Sequence, residues 1–323
     1  MNTPSNAVPV SPVDSQAIAH TGPSAIRPFY WSVRRELWEN RSIYLAPLAV
    51  AAVTLLGSLI SLIYLPRSLR EIEAMDPPHQ PAMLAHPFAH IAMLLLVTSI
   101  VVGIFYCLDA LHSERRDRSI LFWKSLPVSD RTTVLSKAAI PLVVLPLIIF
   151  AIIVALQWIL FWLSTLVLLA TGAGAAPLWK ELPLFQMQLV LLYGLIVIAL
   201  WHAPVYAWLL LVSGWARRAT FLWAVLPLVA IGVFEKIAFR TSYSGSLIKD
   251  RLFGFAWHAF AITAPSTGMH DPHGTAAVDP HFIPLTLLSP GKFLSSPGLW
   301  LGLIVAAAFI AAAVRLRHYR EPI

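Results

Sequence analysis

Two groups of residues have types and spacing suited to chemistry. The first is Met269-His270-Asp271-Pro272-His273, followed by Asp279-Pro280-His281. His and Asp are metal ligands, and an H-x-x-H step can close on one ion, so His270, His273 and His281 are the candidate ligands. The prolines break any helix there and no Cys or Glu accompanies the set, so an ordinary His-containing loop is the simpler reading. No resident metal or cofactor is expected. The second group is Glu114 to Lys137, ERRDRSILFWKSLPVSDRTTVLSK, whose chemistry is docking. It carries Arg115, Arg116, Arg118, Lys124, Arg131 and Lys137 beside Ile120, Leu121, Phe122, Trp123 and Leu126. A connecting loop has no need of that apolar content, whereas a segment that seats on a partner does.

Familiar catalytic patterns are missing. The chain has no H-E-x-x-H, no G-x-S-x-G and no G-x-x-x-x-G-K-[ST] phosphate loop; Gly291-Lys292 lacks the earlier Gly and the following Ser or Thr. An enzyme is therefore not expected. Within the apolar stretches the polar residues are few. His202, beside Trp201 and Pro204, is an ionisable group at depth and so a candidate for a translocation path; a neutral His bonded to a carbonyl is the simpler alternative. Gln157 can bond across helices and joins it as a path candidate. Asp109 reads as interfacial, and Glu235 and Lys236 as reaching out to water. The single cysteine, Cys107, allows no intramolecular disulfide.

The elements that must position these residues are membrane helices. Hydrophobic residues make up 58% of the 323, charged residues 12%, and mean hydropathy is +0.73, against about 25% charge in a soluble domain. Six apolar runs are candidate spans: Ile43 to Leu65, Ala89 to Leu108, Ala138 to Thr171, Leu182 to Ala216, Ala219 to Phe234 and Phe293 to Val314. About 20 residues suffice to cross as a helix. The fifth run, with 16, is short; the last, with its Ser-Pro start, also reads as beginning at Leu299. The third and fourth, 34 and 35 residues long, must protrude or bend, with Pro141, Pro146 and Pro204 as the bend points. The expected fold is an all-α polytopic membrane protein with six transmembrane helices.

Charge sets the orientation. With six spans, both termini share one side, and that side holds 15 of the 23 Lys and Arg. Five of the other eight lie in one long loop, where the positive-inside rule is weak. The termini and the basic segment are thus expected in the cytoplasm, in a cell inner membrane, and the net charge of +7 points to topology and membrane lipid rather than nucleic acid. Residues 1–24 read as a disordered tail and 315–323 as a basic one. Residues 25–42 read as an amphipathic interfacial helix, with Ile26, Phe29, Tyr30, Val33 and Leu37 on one face and Arg35 and Glu39 as a pair four apart. The spans occupy 43–314. Pro66 to Phe88 is expected as a turn-rich connector. The long outer connection 235–292 is expected to carry short re-entrant or interfacial helices at Leu252 to Ala264 and Phe282 to Leu288.

Within the basic segment, Ile120, Trp123 and Leu126 fall three apart on one helical face. Pro127 stops that helix, and Ser129 or Asp130 caps the next, which runs into the third span. The residue order here resembles the cytoplasmic stretch between the second and third spans of permeases of the type-2 ABC exporter family. The matching positions are Glu114, Arg115, Arg116, Asp117, Arg118, Ser119, Leu126, Pro127, Val128, Ser129 and Lys137; Arg118 and Ser136 stand where the family often has Gly. The resemblance extends to the order of elements over residues 24–318. It implies a permease in which Glu114, Arg115, Arg116, Asp117, Arg118, Ser119, Trp123, Leu126, Pro127 and Ser129 contact an ATP-hydrolysing subunit. It also implies a second permease copy, homo- or heterodimeric, and export as the direction. Two other functions fit the residues: a non-transporting anchor or regulatory subunit, and a membrane enzyme using the outer His and Asp residues.

Overall fold

The computed structural model describes residues 26–76, 79–117, 129–260 and 285–319. Among them the regular structure is helical, and the only ladder pairing is an isolated bridge between Phe260 and Leu288. Six helical stretches are long and apolar enough to cross a bilayer, so the chain is an all-α multi-pass membrane protein. A short helix α1 (Ile26–Glu39) precedes α2 (Ser42–Ser61), which passes through a 3₁₀ turn into α3 (Leu65–Glu73). The second span is α4 (Gln80–Asp109), followed by the short α5 (His112–Arg116). The third combines α6 (Asp130–Ala139), a π-helical turn (Ile140–Val144) and α7 (Leu145–Ala170). After α8 (Ala176–Glu181) come the fourth and fifth spans, α9 (Leu184–Trp215) and α10 (Thr220–Phe239). The short helices α11 (Tyr243–Phe253), α12 (Phe255–Ala259) and α13 (Pro290–Leu294) lead to the last span, α14 (Pro297–Tyr319).

The helix α9 is the hub. It packs along α14 and against α4, α7 and α10, and is buried over much of its length from Leu191 to Gly214. Its crossing with α4 is close: a Cβ added at Gly103 would stand 3.0 Å from Tyr206 Cε1. By contrast α10 buries only Ala224, and its Phe221, Leu226, Ile231 and Ile237 face outward, as lipid-facing side chains do. The fully buried Leu95, Ile140, Leu145, Ile149, Ile153 and Leu168 fill the space between α4 and the third span.

The proline residues account for most of the differences from the expected boundaries. Pro66 and Pro81 sit in the first turns of α3 and α4, where a missing N–H costs nothing, so the connector from 66 to 88 is mostly helix. Pro141 falls in the π-turn, which absorbs the carbonyl that the ring displaces. Pro146 instead opens α7, and α9 continues as one helix through Pro204. The fifth span is longer than its apolar run because α10 carries on through Glu235. That carboxylate is partly exposed and also serves the next helix. It caps α11, accepting the Ser244 N–H and the Thr241 hydroxyl at 2.8 Å each, together with the Tyr243 N–H. Part of the expected Leu252 to Ala264 stretch forms the end of α11 and α12, and Leu285–Leu287 is a single 3₁₀ turn; the remainder of both stretches lies outside the described residues.

Candidate functional site

The described part of the basic segment forms two stems, α5 leading in and α6 leading out. At the start of α6 Ser129 is the N-cap, its Oγ accepting the Thr132 N–H at 3.2 Å. Two turns on, Lys137 points into the protein and is 2% exposed. Its ammonium donates to both oxygens of Glu36, at 2.9 and 3.0 Å, and lies 3.1 Å from Glu114 Oε1. Glu36 comes from α1 and is fully buried; it also accepts the Tyr106 hydroxyl of α4 at 2.9 Å and Arg35 Nη2 at 2.7 Å. Glu114 comes from α5 and accepts Arg35 Nη2 at 3.1 Å and Arg317 Nη1. Arg317, near the end of α14, donates its Nε to Asp130 at 3.0 Å.

Three cations, Arg35, Lys137 and Arg317, thus meet three carboxylates, Glu36, Glu114 and Asp130. Each member comes from a helix that packing alone could let slide: α1, α5, α6 and α14. A single contact at 2.9 Å is worth about 6 kcal/mol of Coulomb energy at an effective dielectric near 20. Desolvating each ion costs several kcal/mol against it. The net gain is small, but the geometry is demanding, because removing one partner leaves the buried charges unbalanced. Around Arg35 burial opposes the charge, and Glu36, Glu39 and Glu114 more than offset it, so its proton is held more tightly than usual. Burial, with Glu36 nearby, pushes the Glu39 carboxyl up; Arg35 at 3.5 Å partly counters this.

Next to this ionic hub, the stem is fastened to α9. Arg115 Nη1 donates to the carbonyls of Gly214 at 2.8 Å and Ala216 at 3.3 Å, placing a cation at the negative end of that helix. Ser213 Oγ accepts the N–H groups of Leu111 and His112 at 3.0 and 2.9 Å. Beside the start of α6 and the end of α14 lies a crevice of about 400 Å³ lined by Ser129, Asp130, Arg131, Val314, Arg315, His318 and Tyr319.

The candidate contact residues therefore divide. Glu114 and Arg115, each 5% exposed, turn inward as anchors, and Ser129 serves as the helix cap. Arg116 and Asp117 face outward and pair with each other at 3.1 Å. Arg118, Ser119, Trp123, Leu126 and Pro127 lie outside the described residues, as do His270, His273 and His281. Among the described residues no group of three or more His, Cys, Asp and Glu could hold a metal ion. His202 and Gln157 are both buried but belong to separate tie points. The His202 ring lies 2.9 Å from the Ile198 carbonyl and 3.2 Å from that of Leu252, whereas Gln157 Nε2 donates to the Phe88 carbonyl across to α4 at 3.3 Å.

Sequence reading missed Glu36, Tyr106, Ser213 and Arg317. A usable signal existed for one of them. Glu36 lies between Val33 and Leu37, which pack inward, while Tyr30 on the expected apolar face is 58% exposed. An acid interrupting the inward face of an amphipathic helix needs a buried cation. Compared with models of protein families, with characterised proteins and with solved structures, the chain matches none of them.

Proposed function

We propose that this protein is the permease subunit of an ATP-driven exporter, moved by a separate ATP-hydrolysing subunit that seats on the segment between α5 and α6. In this reading the basic end of the bundle, with both termini, faces the cytoplasm of an inner membrane, in keeping with the excess of Lys and Arg there. These 323 residues carry no phosphate-binding loop, so in this reading ATP is hydrolysed outside them.

The observation that carries the proposal is the fastening of the two stems. Whatever docks on residues 118–128 pulls on α5 and α6. Those stems are tied by ion pairs to α1 and α14 and by side chain–backbone hydrogen bonds of Arg115 and Ser213 to the end of α9. A displacement of the segment is therefore delivered to the second, third, fourth and last spans together, as rocking of span bundles requires. A passive lipid-facing loop needs no such connection. Trp123 and its apolar neighbours would fill a cleft on the ATPase, and Arg116 with the basic residues of the segment would orient it. A second permease copy completes the path.

The test is reconstitution. The purified chain in vesicles, supplied with its ATPase and MgATP, moves substrate; a variant with Trp123→Ala inserts normally and retains the melting temperature but uncouples ATP hydrolysis from transport. Loss of ATPase binding without the segment supports the reading, and undiminished binding refutes it.

A further inference from the structure

The end of the molecule opposite the ionic hub holds a cation with no ion-pair partner among the described residues. Arg251, near the end of α11, is half-buried, and its guanidinium lies 4.5 Å from the Trp201 ring of α9. Nη2 donates to the Gly298 carbonyl at 2.7 Å and Nη1 to that of Trp201 at 3.4 Å. No carboxylate among the described residues pairs with it; the neighbouring Asp250 stands 3.6 Å from His258 instead. Two of five N–H donors are thereby used. Carbonyls satisfy those donors, while burial disfavours the positive charge and the neighbouring Asp250 offsets that only in part.

The surroundings are built for this group. A Cβ at Gly302 would stand 2.6 Å from Nη2, so α14 keeps a glycine where the guanidinium lies. The segment around Arg251 is stitched to α9 through its backbone: the Trp201 indole donates to the Asp250 carbonyl at 3.2 Å, and the His202 ring contacts that of Leu252. On the same short helices Lys249 and Lys292 are exposed, and Lys292 Nζ is held at 2.9 Å by the Trp257 carbonyl. Among the described residues of these helices, Lys249, Arg251 and Lys292 outnumber Asp250. Leu247, Phe253 and Leu294, on the same short helices, are more than half exposed.

Depth fixes the kind of anion. Along α14, Gly298 is 19 residues from Arg317, about 28 Å at 1.5 Å per residue. The hydrocarbon layer is about 30 Å thick, so with the ionic hub at one surface Arg251 lies at the headgroup level of the other. Arginine matches phosphate geometrically through parallel N–H donors.

We propose that Arg251, braced on Trp201 and assisted by Lys292, binds the phosphate of an anionic phospholipid headgroup, with the acyl chains along Leu247 and Phe253. The site depends on the membrane fold alone and stands apart from the exporter reading.

Native mass spectrometry of the full chain in detergent, titrated with phosphatidylglycerol, phosphatidylcholine or inorganic phosphate, reads it directly. The wild type retains phosphatidylglycerol in preference to phosphatidylcholine. Retention falls about tenfold in Arg251→Gln, the loss of one charge-assisted hydrogen bond. Gly302→Ala, which keeps every charge but displaces the guanidinium, weakens it as well, and Lys292→Gln weakens it a few-fold. Should Arg251→Gln fail to fold, the other two variants carry the test. Equal retention by wild type and variants of unchanged melting temperature overturns the site. Inorganic phosphate displacing the lipid at equal concentration overturns the lipid assignment and makes a free anion the occupant.

Discussion

Replacing Lys137 by Met removes the centre of the ionic hub while nearly preserving volume. The ammonium makes contacts of 2.9, 3.0 and 3.1 Å to Glu36 and Glu114. Without it, fully buried Glu36 keeps Arg35, Tyr106 and Asn40 among the described residues, and Glu114 keeps Arg35 and Arg317. Breaking a buried pair from one side costs about 3–5 kcal/mol. At roughly 2 °C per kcal/mol for a chain of this size, the melting temperature of the detergent-solubilised protein falls by roughly 6–10 °C. Adding Glu36→Gln restores charge balance and keeps an acceptor for the Tyr106 hydroxyl, so the double variant recovers at least half of that loss, although each change alone destabilises. The assay is thermal unfolding of the four proteins of this cycle. Additive losses, or a Lys137→Met protein melting with the wild type, would refute the idea that these helices are held by mutual charge compensation.

Other expectations follow from individual contacts. Ser213→Ala deprives the Leu111 and His112 amides of their acceptor; it costs about 1–3 kcal/mol and speeds hydrogen exchange at those amides. Gly103→Ala forces a methyl against the Tyr206 ring and costs about 1–3 kcal/mol, read as a lower melting temperature. Glu235→Ala uncaps α11, so exchange at residues 243–246 accelerates while α4 and α9 stay protected. Arg116→Glu, at an exposed position, leaves the melting temperature unchanged but weakens capture of the ATPase subunit.

How much could be read in advance depended on the physics involved. Six spans were legible because the length and apolarity of a crossing helix are local properties of sequence. Their ends were not, since Pro66 and Pro81 serve as helix starts as readily as turns, and Glu235 passes within a helix once Ser244 and Thr241 satisfy it. A cap at Ser129 or Asp130 was foreseen because capping is decided within one turn, and the fold uses Ser129. The ionic hub was hidden because its pairs are distant in the chain: Lys137 and Glu36 are 101 residues apart, Arg317 and Glu114 203. In sequence each looks like an interfacial charge. The same holds for Glu114 and Arg115, whose charges suggested a docking face and which the fold turns inward.

The central claim is that the segment between α5 and α6 seats an ATP-hydrolysing partner. The most direct measurement is affinity capture of the tagged full chain from its native membranes, assayed for MgATP hydrolysis. The comparison is a variant in which residues 118–128 are replaced by a Gly-Ser run of equal length. The wild type should bring down an ATPase carrying a phosphate-binding loop. The variant should retain its melting temperature and bring down none. Equal ATPase recovery with both proteins would contradict the account.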